Sequence, residues 1–274
     1  MSKDVFVKHI AIPQDHGSWV FLFSPLLIGL FAGATWRPES FVLALAALCA
    51  FLARNPITVL VKVHSGRRSR RDLPAALFWS AVYTVLGVLL LGYLVLKGYG
   101  FLLWLGIPAV PVFAWHLYLV SRRAERRKPG LEIVATGTLA LGAPAAYWVG
   151  LGTPAPDGWW LWLLTWLQAA ASIAYAYLRL EQRAWKTLPP SAERWRAGGR
   201  ALLYTTFNLA VTAALGFAGI LPRWLFLAYL VQWAEALWGI THPAIKTRPT
   251  VIGFRQLLVS TLYTIVFILT WKPG

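Results

Sequence analysis

The sequence predicts an all-α, polytopic membrane protein with nine transmembrane helices, and two observations lead to that prediction. Nine apolar stretches follow one another along the 274 residues, each close to the roughly 20 residues that cross a bilayer. The 26 Lys and Arg residues are unevenly distributed: 21 of them lie in the N-terminal arm, in every second connection or in the span ends beside those connections, and Arg54 lies inside a span. Only four lie on the opposite side: Arg37, Lys97, Arg223 and Lys272. Because basic loops stay in the cytoplasm, the N-terminus is predicted inside and the C-terminus outside.

The composition excludes a soluble monomer. Hydrophobic residues make up 58% of the chain and charged residues only 13%, which leaves too little polar surface to cover a folded domain. The apolar stretches do not alternate with polar residues as barrel strands do, so they are predicted to be helices. Nine such helices use most of the chain, and residues 1–274 are therefore predicted to form a single transmembrane domain.

The spans are placed by their apolar runs and by the residues that begin them. The first follows Lys3 and Lys8 and is longer than the apolar region of a signal peptide, so we expect it to be retained. The third and eighth begin at Pro74 and Pro222. Proline costs nothing in the first turn of a helix, because an N–H there has no partner within the helix. The predicted spans are Gly17–Thr35, Ser40–Val63, Pro74–Leu96, Gly100–Val120, Leu131–Gly150, Trp159–Leu180, Ala201–Ile220, Pro222–Ile240 and Val251–Trp271.

Small residues and prolines predict local features within these spans. The fifth span is rich in Gly and Ala, which let another helix approach closely. These small residues are Gly137, Ala140, Gly142, Ala143, Ala145 and Ala146. Prolines inside spans remove a backbone donor and are expected to kink the helices. They are Pro25, Pro56, Pro108, Pro111 and Pro144.

The net charge of +16 predicts contact with membrane lipids rather than with nucleic acid. The charge is confined to connections beside the cytoplasmic leaflet, where anionic lipids attract Lys and Arg. The longer, charged connections also lie on that side, so the candidate chemistry is expected there. Cys49 is the single cysteine and lies in an apolar span, which excludes a disulfide framework and a thiolate metal cluster.

Two ionisable residues lie deep inside predicted spans, Arg54 in the second and Glu235 in the eighth. A charge at the bilayer centre costs about 2.5–3.5 kcal/mol, so each needs a partner or a function. Counted from the cytoplasmic ends of their helices, the two residues lie at similar depths. We therefore predict that they pair or face one shared polar cavity. The alternative is an ion pair that locks two helices together without a catalytic role.

Further polar side chains gather in the cytoplasmic third of the spans. They are Asp15, His16, Asn55, His64, His116, Glu132, Ser172, Tyr175, Tyr177, Arg179, Glu181, Asn208, Gln232, His242, Arg255 and Gln256. Four His residues share this face and suit a metal or haem, but no His pair or Cys partner fixes a geometry, so no metal site is predicted. Tyr175 and Arg179, four residues apart, share a helix face that Tyr177 does not. Arg179 is expected to bind a phosphate or carboxylate headgroup or to extend to lipid phosphates.

One segment near the N-terminus carries a family resemblance. The run Pro13-Gln14-Asp15-His16-Gly17-Ser18-Trp19, followed by Phe23-Ser24-Pro25-Leu26-Leu27-Ile28-Gly29, resembles the opening of the YwiC-like family of bacterial integral membrane proteins. That resemblance implies a multi-pass protein of the bacterial inner (cytoplasmic) membrane.

A more distant resemblance is to the UbiA superfamily of intramembrane prenyltransferases. It implies a bundle of nine helices with the N-terminus inside, in which Asp-rich motifs on the second and sixth helices hold Mg²⁺ and a prenyl diphosphate. Asn55 matches the Asn that opens the first motif, but Val59 and Val63 replace its carboxylates. In the second motif Tyr175-Ala176 matches, whereas the flanking Asp residues are replaced by Ser172 and Arg179. Since Mg²⁺ needs hard oxygen ligands, Mg²⁺-dependent diphosphate ionisation is expected to be absent.

These features predict a UbiA-like bundle with a cytoplasm-facing intramembrane polar cavity that binds or modifies an isoprenoid- or quinone-type lipid. The candidate catalytic residues are His16, Asp15 and Glu235, with His16 as the acid–base group because the Asp15 carboxylate would orient its imidazole. The candidate substrate-binding residues are Arg54, Asn55, His64, His116, Tyr175, Arg179, Asn208 and Gln232. Whether the protein is an enzyme, which cofactor it uses and its oligomeric state stay open at this point.

Two other classes of function remain compatible with the sequence. One is a small-molecule transporter or exporter in which Arg54 and Glu235 bind substrate or couple transport to protons, although an odd number of spans does not favour inverted repeats. The other is a non-catalytic subunit or assembly factor of a membrane complex.

Overall fold

The computed structural model describes residues 6–13, 18–33, 35–124 and 129–271. Within these ranges the chain is helical and contains no strand. Two short 3₁₀ segments, Arg70–Asp72 and Gly100–Leu105, lead into α4 and α5. The α-helices are α1 Lys8–Ala11, α2 Ser18–Ala32, α3 Pro38–His64, α4 Leu73–Leu96, α5 Gly106–Ser121, α6 Pro129–Ala140, α7 Gly142–Leu151, α8 Asp157–Gln182, α9 Ser191–Phe217, α10 Phe226–Thr241 and α11 Pro249–Thr270.

The all-α, multi-pass class is confirmed. In the described parts of the chain, six helical segments are long and apolar enough to cross a membrane, and α2 is a shorter apolar helix. Those six are Pro38–His64, Arg70–Leu96, Gly100–Ser121, Pro129–Leu151, Asp157–Gln182 and Pro249–Thr270. The nine predicted spans fall on these six segments and on α2, α9 and α10. That all nine cross the membrane, and in which orientation, stays a prediction.

Two predicted boundaries are displaced. Helix α9 begins at Ser191 rather than at Ala201, because the basic stretch before Ala201 is itself helical and follows the break at Pro190. Helix α10 begins at Phe226 rather than at Pro222, because Pro222 and the residues after it form a turn. Charged residues on an exposed helical turn do not oppose helix formation, so a hydropathy pattern underestimates the length of α9.

Close packing of α2 against α7 confirms the prediction drawn from the small residues of the fifth span. A Cβ atom added to Gly29 would overlap the carbonyl oxygen of Ala143. One added to Gly33 would lie 3.2 Å from the Tyr147 oxygen. Because apolar side chains gain nothing by leaving lipid for protein, such contact between helix backbones is a main source of association in a bilayer.

The fifth span is interrupted at Leu141, where α6 ends and α7 begins. Pro144 lies in the first turn of α7 and has no N–H, so the α-helical hydrogen bond to the Ala140 carbonyl cannot form. The predicted disturbance at Pro144 therefore takes the form of a break. Helices α2, α3 and α5 continue through Pro25, Pro56 and Pro111.

The bundle has a buried centre and an apolar exterior. Trp148 of α7 and Leu161 and Leu164 of α8 are at most 1% exposed and lie in the main core cluster. Helices α4 and α5 contribute little to this core and turn large side chains outward, including Leu89, which is 64% exposed. An exterior of this kind is suited to lipid.

Candidate functional site

A charged group lies where α8, α10 and α11 meet. Glu235 on α10 is 8% exposed, and its carboxylate accepts three hydrogen bonds. The Tyr175 hydroxyl on α8 donates to Oε1 at 2.6 Å. Arg255 on α11 donates from Nε to Oε1 at 2.6 Å and from Nη2 to Oε2 at 2.8 Å. This bidentate pairing compensates the carboxylate inside the bundle and fixes the guanidinium plane.

Arg179, one helical turn beyond Tyr175, binds the end of α10. Its Nη1 donates to the carbonyl oxygens of Gly239 and His242 at 2.9 and 2.8 Å, at the end of α10. The same nitrogen donates to Gln182 Oε1 at 2.8 Å. The last carbonyls of a helix lack intrahelical donors and carry partial negative charge, so a buried cation there stabilises the helix end.

Tyr175, Arg179 and Arg255 line a cavity of about 260 Å³. The Arg255 guanidinium lies 3.3 Å from the centre of the Trp238 ring, and Arg179 lies 5.3 Å from the same centre. Two guanidinium groups line the cavity beside an aromatic face, and the Glu235 carboxylate bound to Arg255 offsets one of them, so a net positive charge remains. The lining residues are Tyr175, Arg179, Trp238, His242, Pro243, Ala244, Thr247, Val251, Ile252, Arg255 and Gln256.

Polar contacts continue from this cavity into the bundle. Ser172 on α8 donates to Gln256 Oε1 at 2.8 Å. Deeper along α8, Gln168 Nε2 donates to Gln232 Oε1 at 3.3 Å. A second, smaller space adjoins Ser172 and Gln168. The polar face of α8 therefore extends from its end toward the middle of the helix.

The predicted pairing of Arg54 with Glu235 is wrong. The carboxylate of Glu235 is occupied by Arg255 and Tyr175. Arg54 lies on α3 and stacks over the Phe51 ring at 5.2 Å. Helix α3 packs against α4, α5 and α7, whereas α10 packs against α8, α9 and α11. Agreement in depth was therefore insufficient to identify the partner.

Asn55 has a role in folding. Its Nδ2 donates to the carbonyl oxygens of Ile10 at 2.8 Å and His9 at 3.2 Å. The hydroxyl of Tyr83 donates to the carbonyl of Ala11. Together these bonds hold the short helix α1 against α3 and α4, and Asn55 does not line the cavity at Glu235.

The remaining predicted site residues are dispersed. His64 Nδ1 contacts the Leu60 carbonyl oxygen at 2.9 Å in an exposed position on α3. His116 on α5 stacks on Phe113. Asn208 Nδ2 donates to the Leu167 carbonyl and joins α9 to α8. Of the predicted binding residues, Tyr175 and Arg179 line the cavity at Glu235.

The shared face of Tyr175 and Arg179 is confirmed, because the guanidinium lies 5.8 Å from the centre of the Tyr175 ring. Tyr177 points elsewhere and donates to Glu132 Oε1 on α6. Asp15 and His16 lie outside the described residues, so their predicted catalytic role stays a prediction. Among the residues that are described, no group of three or more His, Cys, Asp or Glu side chains converges.

Arg255 was predicted to belong to the polar group on the cytoplasmic side but not to pair with Glu235, and Trp238 was not singled out by the sequence. A signal for Arg255 was present in the register of the α10–α11 hairpin. Glu235 lies six residues before the end of α10 at Thr241, and Arg255 lies six residues after the start of α11 at Pro249. Residues equally far from the connection of two antiparallel helices lie at the same level, so Arg255 was the better partner.

The positions that correspond to Asp-rich motifs do not fit magnesium. Val59 and Val63 are 2% and 8% exposed and lie in an apolar cluster with Ile10. The Ser172 hydroxyl donates its hydrogen bond to Gln256. Arg179 carries a positive charge at a position where the magnesium site requires a carboxylate. Mg²⁺ is held by carboxylates, phosphates and water, so these four side chains cannot form its site.

The fold and the site define a multi-pass helical membrane protein with a cationic cavity at one end of the bundle. Residues 12–147 match the model of the YwiC-like protein family, which makes the chain YwiC-like over that part. It is 27% identical over 150 residues to the uncharacterized protein YwiC of Bacillus subtilis (strain 168). That alignment covers 54% of this chain and 57% of the relative, so it spans little more than half of each protein.

The fold resembles that of a solved membrane enzyme, digeranylgeranylglyceryl phosphate synthase, a UbiA-type prenyltransferase. The similarity covers 94% of this chain and 93% of that chain, with a TM-score of 0.54 and 14% sequence identity. At this identity the comparison establishes the fold alone. The two resemblances predicted from the sequence, YwiC-like and UbiA-like, are both confirmed.

Proposed function

We propose that this protein binds an isoprenoid- or quinone-type lipid in the plane of the membrane and holds its polar head in the cavity between α8, α10 and α11. The observation that carries the proposal is the pairing of Arg255 with the buried carboxylate of Glu235 at the edge of that cavity. Arg255 is 37% exposed, so it can contact a ligand while Glu235 keeps it in place. A guanidinium fixed in this way suits an acceptor-rich head such as a phosphate, a carboxylate or a quinone carbonyl.

The size of the cavity limits what it can hold. Pockets for whole drug-sized ligands occupy about 300–1,000 Å³, and this cavity is about 260 Å³. It therefore accommodates a head group rather than a complete lipid. Val251 lines the cavity and is 55% exposed on the outer face of α11, which gives an apolar tail a route into the bilayer.

The fold supports the choice of an isoprenoid tail, since the solved structure of similar fold is a synthase of a digeranylgeranylglyceryl phosphate. The absent carboxylates at Val59, Val63, Ser172 and Arg179 oppose a Mg²⁺–diphosphate site. The proposal is accordingly recognition of a lipid head by Arg255 and its neighbours. If the lipid is also modified, Asp15 and His16 are the proposed acid–base pair.

The proposal includes the predicted topology: one domain of nine spans in the inner membrane of a bacterium, with the cavity on the cytoplasmic side. Exposed threonines at opposite ends of α8 provide the test. In intact cells a membrane-impermeant maleimide should label Thr153→Cys, which precedes α8, and should leave Thr187→Cys unlabelled. The native Cys49 is 3% exposed and gives little background. The reverse labelling pattern would overturn the orientation.

The experiment that tests lipid binding is mass spectrometry of the lipids that co-purify in mild detergent. Three forms are compared: the wild type, the Glu235→Gln/Arg255→Gln double variant and Arg223→Gln. The double variant removes both charges of the pair, so neither Glu235 nor Arg255 is left as a charge without its partner. Arg223→Gln is the matched control, because Arg223 also lies over a Trp ring but does not line the cavity.

We expect one isoprenoid lipid near stoichiometric amounts in the wild type and in Arg223→Gln. In the double variant its amount should fall about tenfold or more, the loss expected for a charge-assisted hydrogen bond. The same bulk phospholipids in all three folded proteins would contradict the proposal.

A transporter is the second candidate, and two observations favour it. Helix α6 is separated from α7 by a break within one predicted span, a feature of transporter binding sites. The Glu235–Arg255 pair is also an ionisable couple inside the bundle, and such couples occur in proton pathways. Substrate flux into proteoliposomes that is lost in the double variant and retained in Arg223→Gln would support transport.

A further inference from the structure

The side chains of the cavity between α8, α10 and α11 carry a net positive charge. The guanidinium groups of Arg179 and Arg255 both line it. The Glu235 carboxylate accepts both of its bonds from Arg255 and offsets one of the two cations. Among the described residues that line the cavity there is no Asp or Glu. One positive charge is therefore left for a ligand to balance.

The start of α11 adds partial positive charge to the same wall. The helix begins at Pro249 and is 22 residues long, and Val251 and Ile252 of its first turn line the cavity. The first N–H groups of a helix lack acceptors within the helix and carry about half an elementary charge. This first turn contains no acidic side chain that would offset the charge. An anion in the cavity therefore lies beside the positive end of α11, as anions do at many helix N-termini.

The negative end of α10, which also faces the cavity through His242, is neutralised by the protein itself. Arg179 donates to the carbonyl oxygens of Gly239 and His242. Arg194 on α9 donates to the carbonyl oxygen of Thr241 at 2.9 Å. Because these cations offset the partial charge of the helix end, α10 does not repel an anion from the cavity.

Arg255 keeps hydrogen-bond donors for a ligand. Its two bonds to Glu235 use Nε and Nη2. A guanidinium has five N–H groups, and the two on Nη1 are not needed by this pairing. The side chain is 37% exposed, so a ligand can reach it while Glu235 holds it in place.

Gln256 provides a further donor beside Arg255. It is 9% exposed and lines the cavity. Its Oε1 accepts a hydrogen bond from Ser172, but no described residue accepts one from its buried Nε2. Since a buried donor without an acceptor costs free energy, an acceptor atom of a ligand would stabilise this amide.

We propose that the lipid head in this cavity is a phosphate monoester, the head of an isoprenyl monophosphate. This rests on the proposed function, because it names the head of the lipid for which that site is proposed. A phosphate monoester carries about −1.5 to −2 charges at pH 7 and has three strong acceptor oxygens. That charge balances the uncompensated guanidinium together with the start of α11, and the oxygens match the donors of Arg255 and Gln256.

Two other heads fit less well. A quinone head is neutral and leaves the positive charge of the cavity uncompensated. A diphosphate carries more negative charge than the cavity offsets. The Mg²⁺ that shares this charge in a diphosphate site needs carboxylates, and Val59, Val63, Ser172 and Arg179 replace them here. The phosphate is therefore bound directly by protein donors, and its binding does not require Mg²⁺.

The test is isothermal titration calorimetry of the purified full-length protein in mild detergent with EDTA. The ligands are farnesyl phosphate, farnesyl diphosphate, farnesol and a ubiquinone with a short isoprenoid tail. Farnesol has the same tail as farnesyl phosphate and a neutral head, so this pair isolates the contribution of the phosphate. Farnesyl phosphate should bind about tenfold or more tightly than each of the others, the ratio expected for a charge-assisted hydrogen bond.

Variants locate the phosphate. Gln256→Met removes the amide donor at similar size and should weaken binding of farnesyl phosphate about tenfold. Gln256→Glu puts a carboxylate beside the phosphate and should weaken binding further. Neither variant should change the affinity for farnesol. The Glu235→Gln/Arg255→Gln double variant should lose the preference for farnesyl phosphate over farnesol, and Arg223→Gln, the control away from the cavity, should keep it.

The outcomes separate the head from the site. Equal affinities for farnesyl phosphate and farnesol, or tighter binding of the diphosphate or the quinone, would overturn the phosphate monoester and leave the lipid site standing. No binding of any of the four ligands, with only bulk phospholipid after purification, would contradict the proposed function itself. An equal loss of farnesol and farnesyl phosphate binding in the Gln256 variants would overturn the role of Gln256 as a phosphate donor.

Discussion

Helices α8 and α4 have similar lengths, 26 and 24 residues, but very different surroundings. In the most apolar stretch of each, 67% of the residues of α8 are buried, against 6% for the segment that contains α4. Helix α8 carries Gln168, Ser172, Tyr175 and Arg179 on its buried side. Helix α4 turns a nearly uniform apolar surface outward.

This difference follows from the lipid bilayer that surrounds the protein in place of water. In a bilayer the exterior of the protein must be apolar, because a polar group facing lipid has no hydrogen-bond partner. Polar side chains are therefore found where other parts of the protein surround them. A strongly apolar span such as α4, which packs on α3, is therefore expected to turn its exposed face to lipid, and a less apolar span such as α8 is expected to contain the chemistry. The proposed lipid site includes Tyr175 and Arg179 of α8, and four changes test whether the contrast with α4 holds.

The largest effect is expected from breaking the ion pair beside α8. Arg255→Gln leaves the Glu235 carboxylate buried without its cation, which should cost about 3–5 kcal/mol. The Glu235→Gln/Arg255→Gln double variant should recover most of that loss. The free energy of unfolding can be measured by titration with sodium dodecyl sulfate in mixed micelles. Equal losses in the single and double variants would show that no buried pair exists.

A charge placed on the outer face of α4 should have the next largest effect. Leu89 is 64% exposed, and if that face contacts lipid, Leu89→Arg should oppose insertion by about 2.5–3.5 kcal/mol. Leu188→Arg is the control, since Leu188 is 60% exposed in the connection after α8. The measurement is the fraction of the chain that integrates into membranes. Normal integration of Leu89→Arg would place α4 in water or against protein.

Two tyrosines on α8 distinguish its buried face from its outer face. Tyr175→Phe removes a buried hydrogen bond to the Glu235 carboxylate and should cost about 1.5–3 kcal/mol. Tyr177→Phe removes an exposed bond to Glu132 and should cost about 0.5 kcal/mol or less. Unfolding in mixed micelles again provides the comparison, and equal costs would contradict the difference in burial.

The smallest effect concerns the close packing of helices. Gly29→Ala forces a Cβ against the Ala143 carbonyl and should cost about 1–3 kcal/mol. Gly92→Ala on α4 meets no atom within 4 Å and should be neutral or stabilising by up to about 1 kcal/mol. A Gly29→Ala protein with wild-type stability would show that α2 and α7 do not touch as closely as described.

Local features of the chain were predictable where one rule dominates. The apolar runs identified the helices, and the Gly and Ala residues of the fifth span indicated close contact with another helix, which is α2. Pro144 indicated a kink in that span, where the structure has a break. These features depend on properties of a single segment, such as a missing N–H or a missing side chain.

Features that depend on two segments were less predictable. Depth alone predicts Arg54 as the partner of Glu235, whereas the register of the α10–α11 hairpin brings Arg255 there instead. Asn55 matched a known motif and nevertheless holds α1 in place. The acceptor of each buried hydroxyl, such as Glu235 for Tyr175, follows from the complete set of contacts, which no sequence pattern contains.

The central claim, a lipid head held beside Arg255, is tested most directly by photo-crosslinking from within the cavity. Val251 lines the cavity, whereas Phe254 lies on the same helix, is 70% exposed and does not line it. The photoreactive residue p-benzoyl-phenylalanine is placed at each position in turn, membranes are irradiated, and the adducts are identified by mass spectrometry. The account predicts one isoprenoid- or quinone-type lipid at position 251 and bulk phospholipid at position 254. The same mixture of phospholipids at both positions would contradict it.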